Sequence, residues 1–418
     1  MIQFPRKRMI SLAYQPVLDW IAAEQAHMLQ RVTDWANINT FSSNTPGLAR
    51  LADILTGEFS RLGGEIRRHD LTPAESIDHR AQTIRTPLGQ AISVTKRPQA
   101  PVRILLNIHM DTVYPPDSPF QSVTQTEPGK LRGPGVADAK GGLAVMLTAL
   151  EAFERFTHAE RLGWTVLLNP DEEIGSPGSA QLLAATAKNH ALGLLFEPAL
   201  PDGALVDRRR GSGSFSIIIH GRSAHAGRDF AAGRSAMVAA AQLTLRLHAL
   251  NESHPGVTVN ISAIDGGSPA NVVPDLAICR LNIRTTEPSD EPQILSSVHH
   301  MIAELNSTDG ISATLHGQFA SSPKILDDPT RGLLDALVSC GRDLGVAITH
   351  RHSGGASDGN RLAAAGLPNI DSLGVRGDQI HSPAEYLLTD SLVERAQIVA
   401  LFLMKLAAGD IDPASFCR

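Results

Sequence analysis

The chain has 418 residues, with 37 Lys and Arg against 43 Asp and Glu, so it can bury two or three cores and carries a formal charge of −6. That mild acidity excludes the basic face of a nucleic-acid binder, and an aromatic content of 4% excludes an array of base-stacking rings. Cys279, Cys340 and Cys417 are too few and too scattered for a disulfide framework or a Cys-based zinc site, which leaves the 16 histidines as the unusual feature.

The first twenty residues are basic but lack a sustained apolar core and a small-residue cleavage site, so no secretory signal is expected. Arg6-Lys7-Arg8 reads as a solvated terminus. No apolar run approaches the roughly 20 residues of a membrane helix, and a cytoplasmic location is expected.

From about residue 100, apolar runs alternate with helical patterns. Strands are expected at 102–108, 164–168 and 192–196, with helices at 141–156 and 179–188 between them. That alternation implies an α/β fold with a mostly parallel sheet covered by helices on both faces. Around residue 208 the pattern changes. Strands at 214–220, 257–264, 276–284 and 311–316, with helices at 233–250 and 292–305, give the order βαββαβ of a ferredoxin-like α+β unit. After about residue 322 the α/β character returns and ends in an amphipathic helix over 392–406. The architecture expected is one discontinuous domain, 1–207 with 322–418, carrying an inserted domain at 208–321.

Chemistry-bearing residues follow the expected strands, where open α/β sheets place their sites. His109-Met110-Asp111 ends the first strand, an arrangement in which His ligates a metal and the carboxylate holds the other ring nitrogen. Gly133-Pro134-Gly135-Val136-Ala137-Asp138 precedes a helix and is not a P-loop, because no Gly-Lys-Ser/Thr follows. Asp171-Glu172-Glu173, Glu197-Pro198 and His381-Ser382-Pro383-Ala384-Glu385-Tyr386 complete the set. Each alone reads equally as a surface His, an N-cap or solvated acids. Their joint arrangement does not. Two His and three carboxylates, with a carboxylate to spare as base, suit Zn²⁺, and paired metals recur in hydrolases.

These residues, in this order and spacing over roughly 40–405, resemble the dinuclear-zinc family of glutamate carboxypeptidases, acetylornithine deacetylases and succinyl-diaminopimelate desuccinylases, most of all the glutamate carboxypeptidase type. The resemblance implies that Asp138 bridges two Zn²⁺ per subunit (Co²⁺ substituting), with His109 and Glu197 completing one site and Glu173 and His381 the other. It implies further that Glu172 is the general base, that Asp111 orients His109, and that the Asp138–Ala139 peptide bond is cis. The family often has a further acid where Ala139 stands, a departure that leaves the ligand set whole.

Gly221-Arg222-Ser223-Ala224-His225-Ala226-Gly227 resembles the motif of the family's lid and dimerisation domain, whose His reaches into the partner's active site and stabilises the oxyanion. Asn271, Arg284 and the Gly-rich loop around Gly355 match positions that hold substrate, Arg284 being suited to a carboxylate. Arg208-Arg209-Arg210 reads as a solvated hinge that could also draw in anions, whereas His220, His254, His299, His300 and His350 carry no such context.

The implied function is hydrolysis of an amide bond next to a free carboxylate in an N-acyl or peptidyl amino acid, by a homodimer that engages neither nucleic acid nor membrane. Glu197, where aminopeptidase relatives carry Asp, fits a carboxypeptidase or deacylase. The alternatives are an N-acyl amino-acid deacylase of the acetylornithine or desuccinylase kind, and a non-catalytic metal-binding protein.

Overall fold

The computed structural model describes residues 12–416; Arg6-Lys7-Arg8 and Cys417 lie outside them. A six-stranded sheet runs in the order Glu65–His69, Ala91–Lys96, Leu162–Asn169, Val102–His109, Leu192–Leu195, Asn369–Ile370. The last four strands are parallel, and the first two pair antiparallel on one side, so the sheet is mixed but mostly parallel, as expected, with Ala91–Lys96 running against the rest.

The continuous apolar runs are explained by cores on both faces. Along Val102–His109, Ile104, Leu106 and Ile108 enter the main core while Leu105 enters a smaller one with Leu183, Leu195 and Leu362. Leu162–Asn169 divides in the same way, Trp164, Val166 and Leu168 against Leu167, as the two-residue period of a strand requires. Helices Gly142–Phe153 and Ser391–Ala408 pack on the main-core face, and only Glu151 of the first reaches beyond the buried interior. That helix starts as close to the sheet as a backbone can. A Cβ on Gly142 would stand 2.0 Å from the Phe196 carbonyl oxygen, so no larger residue fits.

Between Gly211–His220 and Ser312–Ser321 lies a second unit. Its four strands are all antiparallel, in the order Thr258–Gly266, Leu276–Thr285, Gly211–His220, Ser312–Ser321, with helices Ala236–Ser253 and Asp290–Asn306 packed against them. The central strand faces Phe215, Ile217 and Ile219 into a core of its own with Leu243, Leu247, Leu281, Ile294 and Val298. This is the ferredoxin-like order. Where the two connecting segments pass each other, Arg209 and Lys324 exchange backbone hydrogen bonds of 3.1 and 3.0 Å.

Among the described residues no helix is long and apolar enough to cross a membrane, and Cys279 and Cys340 are buried free thiols.

Candidate active site

Parallel strands bring their carboxyl ends to one edge. His109 pairs in register with Asn169, and Asn107 with Leu195, so the residues after these strands converge: His109 itself, Glu172 and Glu173 in a short turn, and Glu197. Asp138 arrives from the turn before helix Gly142–Phe153, through a cis Asp138–Ala139 bond. His381 comes from the loop between Gly377–Asp378 and Tyr386–Leu388, in the left-handed region at φ 62°.

The Asp138 carboxylate divides this cluster. Its Oδ1 stands 2.9 Å from His109 Nε2, which is also 3.7 Å from Glu197 Oε2. Its Oδ2 stands 3.4 Å from His381 Nε2, which is 3.2 Å from Glu173 Oε2. Ligands sharing one tetrahedral zinc at 2.0–2.1 Å stand about 3.3 Å apart, so both halves have the spacing of a coordination shell. Donor atoms of His109, Asp138 and Glu173 lie within 4.8 Å of one another. Mixed nitrogen and carboxylate donors, buried except for His381, fit a pair of divalent cations.

The electrostatics make the same point. Burial raises the Glu172 carboxyl far above its ordinary range, and the nearby Glu197 raises it further. Glu173 is pushed up to about 7 by burial and by Asp138. Burial alone would lower the His109 pKa, but Glu197, Asp111 and Asp138 outweigh it and hold the ring well above 6.5. Hydrogen bonds to Asp138 and Glu173 carry His381 up to about 10. Acids forced towards neutrality beside imidazoles forced towards charge form a site short of positive charge. A pH dependence follows. Below these raised values the cation-free chain keeps both rings protonated, and ligation requires them neutral, so cation uptake near pH 7 releases up to about one proton per histidine and tightens as pH rises. Calorimetry in buffers of different ionisation heat measures that release; uptake without protons contradicts it.

Supporting residues fix this geometry. Asp111 stands 3.3 Å from His109 Nδ1, and the same carboxylate accepts Ser42 Oγ at 2.6 Å and the backbone N–H groups of Glu172 and Glu173, each at 3.2 Å. One buried carboxylate thus orients the ring and the turn. Asp171, the first acid of its triplet, faces away and accepts Ser179 Oγ and the N–H groups of Gly178 and Ser179. Lys140 is buried and donates to Thr40 Oγ1 and the Met110 carbonyl.

Sequence reasoning had not singled out two further acids. Asp358 accepts Asn169 Nδ2 at 2.6 Å and Ser176 Oγ at 2.5 Å, joining the Gly-rich loop to the Glu172–Glu173 turn. Glu385 is fully buried and accepts the Tyr114 hydroxyl and the N–H groups of Gly135, Ala137 and Asp138 at 2.6–3.0 Å. The only sequence signal for Glu385 is its place four residues after His381. Glu385→Ala would orphan all those donors, so a loss of about 3 kcal/mol is expected in urea denaturation. Cation affinity should fall about 10–100-fold in chelator competition, and unchanged values in both would contradict the role.

The remaining candidates lie outside the cluster. His225 is exposed, and its Nδ1 accepts the Gly227 N–H at 3.1 Å. The Asn271 carbonyl accepts the Ala226 N–H beside it, and Arg284 donates Nε to Asn282 Oδ1 at 2.8 Å. Gly355 meets the machinery indirectly, its carbonyl accepting Arg209 Nη1 at 3.2 Å. Arg209 is not a solvated hinge residue: its Nε pairs at 2.5 Å with the buried Asp371. His350 pairs with Asp207 at 2.7 Å.

Known proteins resemble this chain in sequence and in fold. The chain is 27% identical over 391 residues to carboxypeptidase G2 of Pseudomonas sp. (strain RS-16), covering 92% of this chain and 91% of that one. It is 29% identical to succinyl-diaminopimelate desuccinylase of Nitrosospira multiformis over 69% of this chain and 78% of the other. A Bacillus subtilis protein described as a dinuclear metal binding peptidase from the M20 family shares the fold, with a TM-score of 0.63 and 17% identity over 93% of this chain and 99% of that one. The family model of peptidase family M20/M25/M40 matches residues 105–405, and the chain is a metallohydrolase belonging to that family.

Proposed function

We propose that this chain is a zinc-dependent glutamate-type carboxypeptidase, cleaving the amide bond next to a free carboxylate in N-acyl or peptidyl amino acids. The observation that carries the reading is the split carboxylate of Asp138, one oxygen towards His109 and Glu197 and the other towards His381 and Glu173. Those five residues would hold two Zn²⁺, with Co²⁺ able to replace them. When bound, the pair supplies Lewis-acid polarisation of the scissile carbonyl and makes the attacking water more acidic.

The chain's own groups do the rest. Glu172 sits beside Glu197 in a half-buried turn, and its raised pKa makes the carboxylate basic enough to take a proton from water and pass it to the leaving nitrogen. Asp111 keeps His109 and the Glu172 backbone in register. Arg284, Asn271 and Gly355 would hold the substrate, Arg284 through its free carboxylate. Residues 208–321 would form the lid and dimerisation domain, and the exposed His225 would serve the partner subunit's site. If so, mixing His225→Ala with Glu172→Gln subunits restores partial activity, measured against either variant alone; absence of rescue contradicts the role in trans.

The desuccinylase likeness supports a second reading, an N-acyl amino-acid deacylase with the same site and a different acyl pocket. A panel of N-acyl amino acids, read as free amine released, separates the two. Chelator-sensitive release of glutamate from N-acyl-glutamates, restored by zinc or cobalt, is expected. Turnover of acetylornithine or succinyl-diaminopimelate without glutamate release would favour the deacylase.

A further inference from the structure

The junction between the two units holds a half-open cavity of about 430 Å³. Arg208, Arg209, Arg210, Lys324 and His352 line it, Glu287 is the one carboxylate side chain in its wall, and none of the five candidate metal ligands belongs to it. Most of these cations already have partners. Arg209 is held by Asp371 and the Gly355 carbonyl. The terminal nitrogens of Arg210 hold Thr258 Oγ1 and the carbonyls of Gly256 and Arg284. Arg208 lies on the exposed rim, 3.8 Å from Asp207.

Two donors remain. Lys324 Nζ and Arg210 Nε are both buried, and neither makes a hydrogen bond among the described residues. Lys324 as a whole is 1% exposed. Burial lowers its pKa to about 8; Asp371, Asp207 and Asp327 favour the charged form and the neighbouring Arg209 opposes it, so the ammonium is still largely protonated at neutral pH. A buried ammonium without a partner is costly, and a fold keeps one where something arrives to meet it.

We propose that this cavity binds a small oxyanion, a phosphate or a carboxylate, held by Lys324 and Arg210 and separate from the metal site. Charge-assisted hydrogen bonds to Lys324 Nζ and Arg210 Nε would satisfy both orphaned donors at once. The wall contains both connecting segments and the near edge of the second unit (residues 256–258 and 286–287), so a bound anion ties the two units together. Arg209 belongs to this wall and also feels the charges of Glu197 and Glu172. The inference rests on these donors and not on the substrate assigned above.

The test is calorimetric titration of the metal-loaded full chain with inorganic phosphate, repeated on Lys324→Met and Arg208→Glu. Saturable binding is expected, weakened about tenfold or more in Lys324→Met and several-fold in Arg208→Glu. Phosphate attached to the metals is unaffected by either change, so the difference isolates the hinge cavity. Arg208 is exposed, and its variant reports even if Lys324→Met misfolds. Glutamate that displaces phosphate from this site identifies a substrate or product carboxylate as its occupant; phosphate binding that glutamate leaves intact identifies a free anion. Phosphate affinity equal in wild type and both variants, or no binding, would overturn the proposal.

Discussion

Exchange of Glu172 for Gln is expected to lower kcat by about 10³-fold while both cations stay bound. The amide keeps the shape of the side chain but cannot accept a proton, and Glu172 makes no contact in the split Asp138 arrangement that would hold the cations. Its turn is pinned from behind, with the Glu172 and Glu173 N–H groups on Asp111, so the substitution leaves the neighbouring Glu173 in place. KM should change little, because a proton acceptor acts in the transition state more than in binding. Steady-state kinetics beside metal analysis reads both quantities. Near-normal turnover, or loss of metal together with activity, would remove Glu172 from the role of base.

Asp138→Ala has a different expected result. Among the described residues Asp138 alone pairs with both histidines, His109 Nε2 and His381 Nε2 each facing a separate oxygen of its carboxylate. Removing that carboxylate takes one ligand from each half and leaves Glu172, Glu173 and Glu197 in mutual repulsion. Both cations should be lost on dialysis and activity should fall below detection. The scaffold should survive, because Glu385 holds the Gly135, Ala137 and Asp138 backbone rather than the Asp138 side chain. Retention of full metal content by a folded Asp138→Ala chain would contradict the bridge.

The contrast between Glu173 and Glu385 shows what the sequence could disclose. Glu173 lies four residues beyond a long apolar strand, and a carboxylate in that position stands out by pattern alone. Glu385 acts through four hydrogen bonds to segments some 250 residues away, a relation that no local periodicity encodes. Asp358 and Asp371 are alike in this respect: their partners Asn169, Ser176 and Arg209 meet them only after the sheet has assembled. The fold divides in the same way. Strands buried on both faces announced themselves as apolar runs, as did the ferredoxin-like order of the second unit. Glu65–His69 and Ala91–Lys96 did not. The first is a largely exposed edge strand, and both pair antiparallel through contacts that their short mixed sequences do not specify. Helix ends moved by one to three residues: the helix expected at 233–250 spans Ala236–Ser253, and the one expected at 141–156 spans Gly142–Phe153, with residues 136–141 forming the turn that carries Asp138.

The most direct measurement is anomalous diffraction at the zinc edge from crystals of the zinc-loaded chain. Two peaks about 3.5–4 Å apart are expected, one on each side of the Asp138 carboxylate, the first near His109 and Glu197 and the second near His381 and Glu173. A single peak, or peaks away from Asp138, would contradict a dinuclear centre built on that residue.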